Sequence, residues 1–146
     1  AGPAASGAPP DGAADGFMMP SAMMPRFAHH FVYRNTGPLP FAGGTEPVTH
    51  GWIEEREPGP TDAARLIALL DAWWPARFST LTGPAAMATT MFAAEIVAPL
   101  ESIGAGPLRF AARVAASFEG YDTELRELWQ GDRLIALNQQ IFAKLR

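Results

Sequence analysis

Residues 66–74, LIALLDAWW, constrain this chain more than any other stretch, because Asp71 is the only charged residue among them. Thr61 stands upstream as an N-cap, Asp62 sits at the positive end of the dipole, and no breaker intervenes before Pro75. The spacing predicts a helix over 62–74 whose second half is apolar around its full circumference. A helix apolar on all sides belongs in a core. The rest of the chain must therefore enclose it, with Leu66, Leu70 and Trp73 or Trp74 buried.

The surrounding pattern is that of strands. Residues 27–34 and 48–56 are rich in aromatic and β-branched types and are separated by a Pro/Gly loop. After the helix, period-two stretches run over 87–100, 108–119, 123–130 and 133–145, the last three joined by Gly120-Tyr121-Asp122 and Gly131-Asp132. In the second of these, Leu108, Phe110, Ala112, Val114, Ala116 and Phe118 share one face, and Arg109, Arg113 and Ser117 share the other. The expected fold class is α+β, a buried helix packed on an antiparallel sheet that ends in a meander.

Residues 1–16 contain only Ala, Gly, Pro, Ser and Asp, a linker composition. Phe17 to Pro25 carries four Met and two prolines. It is expected as an extended segment pressed on the body, with a wall for an acyl chain as the sharper alternative. Eleven basic and fifteen acidic residues are scattered without a basic stripe, which argues against a nucleic-acid partner. The absence of Cys excludes disulfides and thiolate metal sites. No apolar run reaches membrane-spanning length, and the start lacks the plan of a signal peptide, so a soluble, cytoplasmic chain is expected.

Asp71 is the strongest candidate for chemistry. A carboxylate buried among Ile67, Ala68 and Trp74 needs a partner or a purpose, since its desolvation is costly. A general base and an Asp that reaches solvent or caps a loop weigh about evenly. Thr89 and Thr90 point to opposite faces of one strand, so at most one can face Asp71. Gln139 and Gln140 likewise face opposite ways: Gln139 shares parity with the apolar row Ile135, Leu137, Ile141 and Ala143, Gln140 with Leu134, Ala136, Asn138 and Phe142, and either is a candidate buried amide. His29, His30 and His50 show no ligand spacing, so no metal and no cofactor is expected. GxSxG, phosphate-loop and dinucleotide motifs are absent from the sequence.

The stretches GWIEEREPGPTDAARLIALLDAWWPARF, ATTMFAAEIVAPL and ELWQGDRLIALNQQIFAKLR resemble the bacterial acyl-CoA thioesterases built of two fused hotdog domains, the thioesterase II-like superfamily. The resemblance spans roughly residues 26–146. It implies a C-terminal hotdog half there, with residues 1–25 as the linker before it. It also implies an active site in which Asp71, Thr89 and Gln140 hold a water that attacks a thioester, with Thr90 as the alternative register for Thr89. A backbone N–H near the helix start would polarise the carbonyl. Met91 stands where the family often has an acidic residue. The implied partners are an acyl-CoA or other acyl thioester and a second hotdog, from another chain or by self-association. Two rivals accompany this reading: a non-catalytic acyl-binding half, and a dehydratase in which a His works with Asp71.

Overall fold

Leu108, Phe110 and Ala112 share one face of a strand and are all buried, the placement imposed where that face packs on a core, and Arg109 between them is also covered. The computed structural model describes residues 24–145. The linker expected over 1–25 therefore lies, up to residue 23, outside the described residues. A 3₁₀ turn, Arg26–His30, leads into β1 (Phe31–Asn35), and β2 (Val48–Glu55) and α1 (Ala63–Ala72) follow. After a second 3₁₀ turn, Ala76–Thr80, come β3 (Met87–Ile96), a third such turn at Leu100–Ser102, and the meander β4 (Leu108–Phe118), β5 (Tyr121–Gln130) and β6 (Arg133–Lys144). The described strands form one antiparallel sheet in the order β1-β2-β4-β5-β6-β3, which leaves β1 and β3 as its edges. The expected α+β architecture is the observed one.

Three expectations about α1 change. Its N-cap is Asp62, not Thr61: Asp62 Oδ1 accepts from the Arg65 N–H at 2.8 Å. The helix ends at Ala72, because Trp73 turns into extended backbone ahead of Pro75. Nor is its circumference wholly buried. Leu66, Leu69 and Leu70 are fully enclosed, whereas Ala64, Ile67, Ala68 and Asp71 form an exposed stripe at helical spacing, with Ile67 43% accessible.

Both tryptophans after the helix enter the core. Trp73 stacks on Phe110 with ring centroids 4.9 Å apart, and its indole N–H donates to Thr49 Oγ1 at 2.8 Å. Tyr33 donates its hydroxyl to the Ala72 carbonyl at 2.9 Å, which ties β1 to the helix end. Gly51 is required beneath them, since a Cβ there would collide with the Arg34 carbonyl and the Trp73 ring.

The period-two reading of β4 fails beyond Val114. The β4–β5 register shifts between Val114 and Ala116, so one residue is extra and the faces exchange. Phe118 thus becomes 75% exposed, while Ser117, itself exposed, comes onto the face of its partner Asp122 and donates to its Oδ1.

Candidate active site

Asp71, Thr89 and Gln140 come from three separate elements and meet at one place. Gln140 lies mid-strand in β6 and is buried along with Ala136, Asn138 and Phe142, a choice between it and Gln139 that parity left open. Its Nε2 donates to Asp71 Oδ1 at 3.0 Å and to Thr89 Oγ1 at 2.7 Å. Gln139 faces away and is exposed.

A β-bulge selects Thr89 over Thr90. In the β3–β6 ladder Thr89 is opposite Phe142 and Met91 is opposite Ile141, so Thr90 is the extra residue. Its hydroxyl donates to the Ile141 carbonyl at 3.2 Å. The bulge places both Thr89 and Phe92 opposite inward-facing residues of β6, although they are three positions apart and a regular strand would turn them to opposite faces.

Of the two environments open to Asp71, the structure has the solvent-reaching one: the residue is exposed, and Gln140 supplies a hydrogen bond to its carboxylate. The start of α1 lies roughly 12 Å away by helical rise, so the N–H groups there are not placed to polarise a carbonyl beside Asp71.

The three side chains border a cavity of about 350 Å³ whose other walls are chiefly apolar, among them Met24, Phe27, Trp74, Phe78, Met87 and Phe142. Met24 is the described member of the Met-rich segment, and it stands on this wall; residues 17–23 lie outside the described residues. None of the three His lines the cavity, and His50 bonds instead to Thr36 Oγ1 at 3.0 Å. Among the described residues, no group of three or more His, Asp or Glu could hold a metal ion, and no helix is long and apolar enough to cross a membrane.

Sequence reasoning missed a buried ionic row on β5. Asp122, Glu124 and Arg126 all face inward, at 0%, 0% and 1% exposure. Asp122 accepts two bonds from Arg77, both at 2.8 Å. Burial alone would push its carboxyl up, but the bonds from Arg77 and Ser117 and the charge of Arg77 outweigh it and hold the group below the usual carboxylate range. Glu124 shifts the other way: burial pushes its carboxyl up despite Arg126 beside it. The available signal was their shared parity with the apolar Leu128, but a run of charges ordinarily marks a solvated face.

The chain is similar to known proteins in family and in fold. The family model described as acyl-CoA thioesterase C-terminal domain matches residues 3–143. No curated protein matches the sequence. A conserved hotdog-fold protein of unknown function from Alicyclobacillus acidocaldarius is 25% identical, with a TM-score of 0.75 over 100% of this chain and 58% of its own. A protein described as a thioesterase II from Thermobifida fusca is 22% identical, with a TM-score of 0.68 over 96% of this chain and 57% of its own. An acyl-CoA thioesterase II from Mycobacterium marinum is 17% identical, with a TM-score of 0.53 over 90% of this chain and 56% of its own. This chain thus spans little more than half the length of these three structures, and the fold they share is the hotdog.

Proposed function

Because this chain belongs to the acyl-CoA thioesterase C-terminal domain family, we propose that it hydrolyses an acyl thioester, with Asp71 as the base and Thr89 and Gln140 as the residues that orient the attacking water. The observation that carries this reading is the placement of one buried amide, Gln140, which donates to both Asp71 and Thr89 at the edge of an apolar cavity.

The hydrogen-bond inventory suits the reaction. Gln140 gives N–H donors to both partners, so Asp71 keeps Oδ2 and its remaining lone pairs for a water proton. Thr89 Oγ1 already accepts, so its own hydroxyl hydrogen is free to point outward. Gln140 Oε1 is buried without a protein partner, an acceptor suited to a held water. The water oxygen would attack the thioester carbonyl carbon as Asp71 takes its proton. Collapse of the tetrahedral intermediate would then expel the thiolate, which recovers a proton, to give a free acid and a thiol. The apolar cavity suits the acyl portion of the substrate.

The same reading calls for a second hotdog. The outer stripe of α1 is exposed next to Asp71, and β3 is an edge strand with Thr89, Thr90, Ala93, Ala94 and Glu95 exposed. An open edge and an apolar helix face of this kind ask for cover. The partner domain would complete the site around the exposed carboxylate. The deciding experiment is acyl-CoA hydrolysis by the full assembly with Asp71→Asn. A large loss supports the reading, and unchanged turnover replaces it with a non-catalytic acyl-binding half.

A further inference from the structure

Asp71 is exposed, and beyond the bond from Gln140 to its carboxylate its placement depends on its backbone. That backbone is the last turn of a ten-residue helix, whose terminal carbonyls have no intrahelical partners. Tyr33 serves the Ala72 carbonyl, and Arg126 serves those around it. Its Nη1 donates to the carbonyls of Leu70 at 2.8 Å, Trp73 at 3.1 Å and Asp71 itself at 3.4 Å. The cation also meets the negative end of the helix dipole.

Glu124 holds the other side of the same segment. Its Oε2 accepts the Ala76 N–H at 2.8 Å, and its Oε1 accepts Arg126 Nε at 2.9 Å. Both side chains are fully buried, and the guanidinium lies 5.7 Å from the Phe110 ring centroid and 5.1 Å from that of Phe142. A fully enclosed charge pair is a costly way merely to cap a helix, since a glycine or a water would satisfy the same carbonyls. What it adds is a fixed frame. In the β5–β6 ladder Glu124 is directly opposite Gln140. One rung of the sheet therefore carries both the amide that receives Asp71 and the carboxylate that anchors the chain just beyond it.

Resting on the hydrolytic reading above, we propose that Arg126 and Glu124 are positioning residues for the reaction: they clamp residues 70–76 to the rung that bears Gln140 and so set the geometry of Asp71 for its water.

The test is kinetic coupling in the full assembly. Arg126→Lys keeps the buried charge but not the planar fork. Glu124→Gln with Arg126→Met removes both charges together and so avoids stranding one of them. Each is expected to lower kcat about tenfold or more, the scale of a displaced catalytic group, with KM for the acyl-CoA held within about threefold. In an Asp71→Asn background the same changes should lower kcat by less than about threefold, because the group they position is already disabled. Wild-type kcat in a folded Arg126→Lys protein overturns the proposal. So do equal losses with and without the Asp71 carboxylate, which would mark a purely structural cap. If the double variant does not fold, Arg126→Lys decides alone. If Asp71→Asn by itself leaves hydrolysis unchanged, it is the hydrolytic reading that fails, and the two failures are told apart.

Discussion

Gln140 donates to Asp71 across 69 residues of sequence, from the middle of β6 to the last turn of α1. The bond joins a buried amide to an exposed carboxylate, and a second bond from the same nitrogen recruits Thr89. The candidate chemistry hangs on that one amide.

Asp71→Asn is expected to reduce thioester hydrolysis by about two orders of magnitude or more, the usual scale for a lost general base. The fold should persist, because the side chain is exposed and replaced by one of equal shape. Thermal melting that stays within a few degrees, alongside the loss of turnover, checks both halves of the expectation.

Thr89→Ala and Thr90→Ala should part company. Thr89 receives the Gln140 donor, so its removal is expected to lower kcat about tenfold through loss of one anchor of the water. Thr90 is the bulged residue, bonded to the Ile141 carbonyl, and its removal should leave kcat within about twofold. Equal effects from the two would sink the register assigned by the bulge.

Phe27 lines the cavity yet is 46% exposed, so Phe27→Ala should cost little stability. One missing methylene in an apolar pocket is worth about 1–3 kcal/mol. The substitution is expected to lower kcat/KM severalfold for substrates with extended acyl chains and to spare acetyl-CoA. A chain-length series settles it, and a uniform change across the series would exclude Phe27 from the acyl wall.

Acid should unfold the domain through Asp122. Its carboxyl lies below the usual range when folded, so its contribution to stability is present above the unfolded value and lost as pH falls through the folded one. Glu124 works in the opposite sense, because a raised carboxyl makes the charged form the costly one. Asp122→Asn is therefore expected to lower stability near neutral pH and flatten its decline in acid. Urea midpoints measured from pH 7 down to 3 would show this, and an undiminished acid slope would contradict it.

Much of the fold was legible in the sequence because the signals were local. Period two along β4 to β6, the glycine turns between them and the apolar run before Pro75 each depend on neighbours within a few residues. Asp71 stood out by itself as a charge in an apolar run, whereas the choice of Thr89 over Thr90 and of Gln140 over Gln139 came from resemblance to a family and not from parity. Tertiary structure decided the rest. A bulge chose Thr89, and another put Ser117 rather than Phe118 on the face of Asp122, because one extra residue exchanges the faces of everything beyond it. The exposed stripe of α1 and the solvent-facing Asp71 could not be read from composition, since a sheet covers only the side of a helix that packs on it. The buried row Asp122, Glu124 and Arg126 looked like a wet face until Arg77 and the carbonyls at the end of α1 were brought beside it. Charges become interior residues only when distant parts of the chain supply their partners, and that pairing exists only in the folded molecule.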